Sequence, residues 1–245
     1  MLAATAGGLL GMARKEVSHR TLCGLVSFAA GALLSVTALH IAPESMELAG
    51  NAWAALAALG AGILLFYLIG KYVSYVCPAC AASAVDRQTG YLRLGILLMI
   101  ALAIHSTMDG VAIAVGAESR EPFLGVLILF AVSYHKIPEG LALTSVARLA
   151  GFSRGRALVI TILIELTTGL GALLGFAVGG ISSFWMGMVL AHAGGSFLYV
   201  VGFALFTELQ EHEKAPVVVY TALGFAAMAV TGLTLEHTGL AAHGH

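Results

Sequence analysis

Two short stretches of the sequence carry residues that could bind a metal ion. They read His105-Ser-Thr-Met-Asp109-Gly110 and His135-Lys136-Ile-Pro138-Glu139-Gly140. In each, an imidazole precedes a carboxylate by four positions, and on an α-helix such positions share one face about one turn apart. Two such helices side by side would present the four ligands His105, Asp109, His135 and Glu139. Two nitrogens and two oxygens suit one divalent cation of borderline softness.

The residues around both stretches are almost wholly apolar. The flanking segments are Leu94–Ile104 and Phe123–Val132. An ionisable side chain at the centre of a bilayer costs roughly 3 kcal/mol or more and usually marks a functional site. The alternative is a set of buried hydrogen-bonding groups within a helical bundle. That alternative explains one histidine or one acid more easily than four ligands at matching spacing.

The composition is that of an integral membrane protein. The chain has 245 residues, of which 59% are hydrophobic and only 10% are charged, whereas a soluble domain is about 25% charged. The net charge of −1 excludes a basic surface for nucleic acid. The three cysteines, Cys23, Cys77 and Cys80, do not form a disulfide framework.

The apolar segments predict an all-α membrane protein with eight transmembrane helices. Met1–Met12 is too short to span about 30 Å of hydrocarbon, so we expect either an incomplete first helix or a helix lying on the membrane surface. The other predicted helices are Leu22–Ala42, Ala52–Val76, Leu92–Gly116, Pro122–Leu149, Gly155–Val178, Phe184–Thr207 and Ala215–Leu235. We expect the second helix to end at His40-Ile-Ala-Pro43-Glu44. Residues 1–245 form a single predicted domain.

The basic residues predict the orientation in the membrane. Ten of the twelve Lys and Arg residues, all but Arg120 and Lys136, lie at the loops on one side, those between helices 1–2, 3–4, 5–6 and 7–8. By the positive-inside rule these loops face the cytoplasm. The loop 77–91 is therefore cytoplasmic, and both termini, including the histidine-containing tail 237–245, lie outside.

A weak internal repeat relates helices 2 and 7. Residues 29–44 and 193–208 align without gaps, with shared residues Ala29/Ala193, Gly31/Gly195, Leu34/Leu198, Val36/Val200 and Glu44/Glu208. Under the predicted topology the two helices start on opposite sides of the membrane. The pattern indicates an inverted repeat, which is common in secondary transporters.

Other polar residues permit more than one interpretation. Glu165 is a further acid in an apolar helix, and Lys136 is its expected partner because a buried charge needs one. Pro138 removes a backbone hydrogen bond and is expected to free the carbonyl of Tyr134. His40 and His192 are either transient metal ligands or polar residues at helix ends.

The loop 77–91 and the tail 237–245 carry weaker indications of metal or redox chemistry. Cys77 and Cys80 form a Cys-x-x-Cys pair that is either a redox or sensing site or a chance spacing. The tail histidines His237, His243 and His245 could capture metal.

With these motifs in hand, the chain resembles the ZIP (Zrt-, Irt-like protein) family of divalent-metal transporters. The resemblance rests on the two motifs above, on the end of helix 2, on Glu165 and on Ala193-Gly-Gly-Ser-Phe-Leu-Tyr-Val200. It implies eight helices, with inverted three-helix repeats (1–3 and 6–8) around helices 4 and 5. It also implies a transport site within that bundle, where Glu165 and, less clearly, Ser106, His40 and Glu44 would add ligands.

One departure from the family pattern concerns the number of metals. Some members hold two neighbouring metals, using Asn and an acid where this chain has Ser106 and Lys136. An ammonium opposes a second divalent ion beside it. We therefore expect one primary site, with Lys136 as the charge that replaces a second metal. Lys136 starts about 100° around the helix from His135 and should point away from the ligand face towards Glu165.

The predicted function is import of a divalent cation across the plasma membrane by alternating access. The ligand set suits Zn²⁺, and also Fe²⁺, Mn²⁺ or Cd²⁺. The expected partners are this ion, the lipid bilayer and, in one hypothesis, a second copy of the chain. The alternatives are a cation-diffusion-type exporter and an intramembrane zinc hydrolase. The hydrolase would need an open coordination position on the metal and a base to activate water. Glu165 could act as that base, but the chain has no His-Glu-x-x-His motif, so we expect a transporter with no catalytic cofactor.

Overall fold

A computed structural model describes residues 2–13, 19–73, 91–121, 123–179, 182–211 and 214–237. Within these ranges the chain forms helices and no strands. We number the helices in chain order: α1 (Leu2–Ala13), α2 (His19–Val36, Thr37–Ile41 and Ala42–Ala49), α3 (Ala52–Val73), α4 (Tyr91–Ala117), α5 (Leu124–Leu149), α6 (Arg154–Glu165 and Thr167–Gly179), α7 (Ser183–Glu211) and α8 (Lys214–His237). The expectations for Cys77, Cys80, Pro122, His243 and His245 lie outside the described residues.

Seven of these helices are long and apolar enough to cross a membrane, and α1 is a shorter apolar helix. Together they confirm the all-α membrane fold and the number of helices expected from the sequence. The central helices are α2, α4, α5 and α7, in which half or more of the spanning segment is buried. In α3, α6 and α8 the buried share is only 22%, so these helices form the lipid-facing periphery.

Helix α2 runs past the end that we expected. Instead of stopping at His40–Glu44, the backbone widens into one π-helical turn at Thr37–Ile41 and then continues as α-helix to Ala49. Pro43 lies in the first turn of the new segment, directly after the π-helical turn, and does not end the helix. The helix ends at Gly50, whose φ of 60° is left-handed.

Helix α6 also differs from the single helix that the sequence indicated. It is divided at Leu166 into Arg154–Glu165 and Thr167–Gly179. The Thr167 hydroxyl donates to the Ile164 carbonyl at 2.6 Å and reaches the Ala103 carbonyl of α4 at 3.0 Å. Threonine hydroxyls that bond to the preceding turn compete with the regular helix ladder, which accounts for a break directly after Glu165.

Helix α1 packs along α5 and against the first segment of α6, so the expectation of a surface-lying first helix is wrong. Its buried face is made of small residues, namely Ala4, Gly7, Gly8 and Gly11. Small side chains let helix backbones approach closely in lipid. At the end of α1, the Arg148 guanidinium of α5 donates to the Gly11 carbonyl at 2.9 Å.

The contacts of α1 with α5 repeat between α6 and α4. A Cβ atom added at Gly7 would overlap the Ile137 carbonyl, and one at Gly171 would overlap the Thr107 carbonyl. The reciprocal glycines behave alike, since Gly140 faces the Ala4 carbonyl and Gly110 faces the Thr168 carbonyl. Ala4 and Gly7 of α1 lie the same number of sequence positions before Thr168 and Gly171 of α6, respectively. In the same way, Thr107 and Gly110 of α4 lie an equal number of positions before Ile137 and Gly140 of α5.

The same correspondence holds for the other two helix pairs. Gly31 of α2 lies against the Thr221 carbonyl of α8, and Gly195 of α7 lies against the Leu59 carbonyl of α3. Gly224 and Gly62 make the matching contacts with the carbonyls of Phe28 and His192. Thus α1–α3 correspond to α6–α8, and α4 corresponds to α5. Corresponding helices lie an odd number of spans apart and cross the membrane in opposite directions, which is the geometry of an inverted repeat.

Two glycines on α6 test whether these close approaches stabilise the bundle. Gly171→Ala should lower stability by about 1–3 kcal/mol, because the new methyl group must displace the Thr107 backbone. Gly169→Ala is the matched control, since nothing lies within 4 Å of its Cβ position. The melting temperature of the detergent-solubilised protein measures both. Equal melting temperatures would contradict the assigned α4–α6 contact.

Candidate metal centre

Helices α4 and α5 bring four potential ligands into one buried cluster. His105, Asp109, His135 and Glu139 each offer a ligand atom, and these atoms all lie within 4.8 Å of one another. His105 Nε2 lies 3.7 Å from Asp109 Oδ1, and His135 Nε2 lies 3.3 Å from Asp109 Oδ2 and 3.6 Å from Glu139 Oε2. The two imidazole rings are 5.3 Å apart. The cluster is therefore compact enough for one ion to touch all four residues.

The internal repeat explains why the ligands converge. His105 and Asp109 on α4 correspond to His135 and Glu139 on α5, because the members of each pair are separated by the same number of sequence positions as Gly110 and Gly140. Helices α4 and α5 pack on one another at the centre of the bundle. A residue pair on one helix therefore meets its own counterpart on the other.

Apolar residues from the two repeats enclose the cluster. Phe66 of α3 and Phe197 of α7 contact the His105 ring edge to face, with centroids at 5.8 Å and 6.5 Å. Both phenylalanines are fully buried. Their contacts fix the ring of His105 and exclude lipid from that side of the cluster.

Lys136 lies inside the cluster rather than beside it. Its Nζ is 2.8 Å from Asp109 Oδ2, 2.9 Å from Glu139 Oε2 and 3.0 Å from Glu165 Oε2. The partner expected from the sequence, Glu165, is present. The expected direction of the side chain is wrong, because the long flexible lysine stem carries the ammonium back to the ligand face.

Ser106, the position on α4 that corresponds to Lys136, completes this network. Lys136 Nζ donates to Ser106 Oγ at 2.5 Å, and Ser106 Oγ donates to Glu139 Oε1 at 3.5 Å. The hydroxyl is thus a neighbour of the ammonium and of one expected ligand. One ammonium faces three carboxylates in a region that is almost completely buried.

The remaining candidates on α2 lie at the loop between α4 and α5. His40 Nδ1 contacts the Glu121 carboxylate. Glu44 Oε1 accepts backbone hydrogen bonds from Arg120 at 2.8 Å and from Glu121 at 3.2 Å. Neither His40 nor Glu44 belongs to the four-ligand cluster within the described part of the chain. The sequence contained no signal for the contact with Glu121.

His192 lies on α7 where this helix packs against α3. Its backbone carbonyl meets Gly62, and its ring interacts with the backbone of Ala58. The ring therefore contributes to the contact between two helices.

The cluster has the chemistry of a cation site. The Nδ1 atoms of His105 and His135 and Oδ1 of Asp109 are buried without a hydrogen-bond partner among the described residues. Buried polar atoms are normally paired, and each exception calls for an explanation. Two imidazoles with carboxylates form a donor set that fits Zn²⁺. The fold and the cluster together define a helical membrane protein with a buried group of potential cation ligands between its repeats.

Comparison with known proteins identifies the family. The family model for the ZIP zinc transporter matches residues 80–232. The chain is 36% identical to Zinc transporter ZupT of Corynebacterium efficiens over 225 residues, covering 86% of this chain and 81% of the relative. It is 34% identical to Zinc transporter ZupT of Chlorobium luteolum over 247 residues, covering 94% and 91%. The chain belongs to the ZIP family of transporters.

Membership of this family confirms the resemblance seen in the motifs. The family consists of transporters, so the hydrolase hypothesis is wrong and the chain is not an enzyme. The cation-diffusion family is excluded as well.

The ammonium of Lys136 should stabilise the folded bundle. Lys136→Met leaves three buried carboxylates without their cation, and breaking a buried ion pair costs about 3–5 kcal/mol. The exposed Lys71 near the end of α3 provides the control Lys71→Met, which should be nearly neutral. Thermal unfolding in detergent measures both variants. A Lys136→Met protein as stable as Lys71→Met would show that the carboxylates do not depend on the ammonium.

Proposed function

We propose that this protein imports a divalent cation, with Zn²⁺ as its main substrate, through a single site formed by His105, Asp109, His135 and Glu139. The observation that carries the proposal is the close approach of these four side chains at the centre of the bundle. Family membership supports a transported divalent metal, and the relatives are named zinc transporters.

The charge balance of the centre supports a divalent ion. When ionised, Asp109, Glu139 and Glu165 supply three negative charges against one from the Lys136 ammonium. Two negative charges remain, and one divalent cation neutralises them. A neutral centre avoids the large cost of an uncompensated charge at low dielectric.

Each side chain has a separate part in this scheme. The imidazoles of His105 and His135 replace water molecules of the hydrated ion, and their nitrogen atoms favour Zn²⁺ over Mg²⁺ or Ca²⁺. Asp109 and Glu139 supply oxygen ligands and charge. Glu165 helps to hold the Lys136 ammonium within the cluster. Fe²⁺, Mn²⁺ and Cd²⁺ accept the same ligand types.

The proposed direction is towards the cytoplasm, with both termini outside and the plasma membrane as the location. The distribution of lysine and arginine among the loops supports this orientation. The inverted repeat supports alternating access, since two oppositely oriented halves can open towards either side of one fixed site. The helices pack around one centre, which supports a single transport domain for residues 1–245.

Lys136 takes the place of a second metal in this proposal. Its ammonium lies within 3.0 Å of three carboxylates and contacts Ser106. A second divalent ion would need the same oxygens, and it would be repelled by the ammonium. The expected content of the purified protein is therefore one tightly bound ion per chain.

Zinc uptake into proteoliposomes tests the transport site. His135→Ala and Glu139→Ala should each lower the initial rate by at least about tenfold, because each removes a direct ligand. His192→Ala, a histidine of α7 outside the cluster, is the control and should retain most activity. Normal uptake by folded His135→Ala and Glu139→Ala proteins would contradict the site. Uptake restricted to vesicles of the opposite orientation would contradict the direction.

The number of bound metals tests the role of Lys136. Lys136→Asp removes the ammonium and adds a carboxylate, so it should raise the content from one to two zinc ions per chain. Elemental mass spectrometry of the purified proteins gives this count, with Lys71→Asp as the control for an added carboxylate elsewhere. Two ions per chain in the unmodified protein, both lost with Glu139→Ala, would disprove the proposal that the Lys136 ammonium takes the place of a second metal ion.

A further inference from the structure

The buried Glu44 of α2 holds the loop that follows α4. Its Oε1 accepts the backbone N–H groups of Arg120 at 2.8 Å and of Glu121 at 3.2 Å. The close glycine contacts pair α2 with α8 and α4 with α6, so this bond joins two different helix pairs. Hydrogen bonds to a carboxylate are stronger than those to a neutral acceptor. Glu44 therefore fastens the two helix pairs to one another at this end of the bundle, which we call the α4–α5 end.

The internal repeat supplies the same groups at the opposite end, where α5 leads into α6. The correspondence between α2 and α7 relates Glu44 to Glu208, which is buried as well. The correspondence between α4 and α5 relates the two loop residues that bond Glu44 to Ala150 and Gly151. We call this the α5–α6 end. It has a second buried glutamate and a second pair of backbone donors at matching positions.

The two ends differ in the bonds that are made. Ala150 and Gly151 donate their N–H groups to carbonyls in the last turns of α5, at 2.9 Å and 3.0 Å. The Glu208 carboxylate bonds with the thiol of Cys23, at the start of α2. A thiol is a weak hydrogen-bond donor, so this bond opposes a different position of Glu208 only weakly.

The apolar packing differs in the same direction. Val36 of α2 is fully buried, in a cluster to which α4, α5 and α7 also contribute, with Leu127 and Leu190 among its members. The position on α7 that corresponds to Val36 is Val200, which is partly exposed. Because both residues are valines, their burial reflects the arrangement of the helices around them. The α4–α5 end is therefore closed, while the matching valine at the α5–α6 end is open to its surroundings.

We propose that Glu44 and Glu208 are alternating latches, a latch being a buried glutamate together with the two loop N–H groups that it accepts. Glu44 keeps the α4–α5 end closed in the present structure. In the opposite state Glu44 releases its loop, and Glu208 closes the α5–α6 end by accepting the N–H groups of Ala150 and Gly151. The inference rests on the alternating access of the proposed function, for which an inverted repeat provides two related states.

The exchange of one latch for the other suits a protein that must visit both states. Each state has one carboxylate with two N–H groups, so the number of strong bonds stays the same and neither state is favoured greatly. The donors are backbone groups, so the latch does not depend on the side chains of the loop. This explains how Gly151 can serve at the position that corresponds to Glu121.

Thiol labelling of the detergent-solubilised full chain tests the latches, with all three native cysteines replaced by serine. Val36→Cys and Val200→Cys are the matched reporters for the two ends. Glu44→Ala should raise the labelling rate of Val36→Cys by about tenfold, the change that corresponds to loss of a hydrogen bond to a charged group. The same substitution should lower the rate of Val200→Cys. Glu208→Ala, an independent second variant, should have the opposite effect on each reporter.

Two further variants separate a latch from a general structural role. Glu47→Ala is the matched control, because Glu47 is an exposed glutamate of the same helix, and it should leave both rates unchanged. Glu44→Gln keeps a carbonyl oxygen that accepts N–H groups, so it should restore most of the protection of Val36→Cys.

Zinc content and uptake separate a latch from a metal ligand. Glu44→Ala should hold as many zinc ions per chain as the unmodified protein. In proteoliposomes it should lower kcat for zinc uptake and change KM by less than about twofold, since the central ligands are untouched.

Three results would overturn the latches. The first is equal labelling of both reporters in Glu44→Ala and Glu47→Ala. The second is faster labelling at both ends in Glu44→Ala, which would show a loosened bundle and no exchange between states. The third is loss of bound zinc in Glu44→Ala. Labelling in detergent requires neither a transport direction nor a functional central site, so its failure is distinct from failure of the uptake assay.

Discussion

The burial of an ammonium among three carboxylates is the interaction on which the centre of this protein depends. Removing charged groups from water is costly, and a buried ion remains charged only when partners of opposite sign surround it. Lys136 meets that condition with Asp109, Glu139 and Glu165, which come from α4, α5 and α6. The ammonium therefore joins three helices and also sets the net charge of the four-ligand cluster.

The close approach of these helices is set by glycine. At Gly110, Gly140, Gly171 and Gly7, a backbone carbonyl of the neighbouring helix occupies the space of a side chain. Hydrophobic burial does not drive helices together within lipid, so packing of this kind carries the association. Because the contacts repeat in both halves, α4 and α5 lie at the axis that relates the two repeats. The histidine–carboxylate pair on one of these helices therefore meets its counterpart on the other.

Local spacing was enough to predict that His105 lies beside Asp109, that His135 lies beside Glu139, and how many helices form, because these follow from the periodicity and length of apolar helices. Features set by contacts between distant segments were not predictable from such patterns. The continuation of α2 through the π-helical turn depends on how Pro43 is placed. The return of Lys136 to Asp109 depends on a flexible stem and three acceptors. The His40–Glu121 contact joins residues far apart in the sequence.

The chemistry of the centre is less symmetric than its scaffold. The repeat pairs histidine with histidine and Asp109 with Glu139, yet it pairs Ser106 with Lys136. A serine at both positions would leave three carboxylates with no fixed cation, and one divalent ion would then leave one negative charge uncompensated. A lysine at both positions would leave too little negative charge to hold a divalent ion. One lysine opposite one serine keeps two uncompensated charges, which is the charge of a single divalent cation.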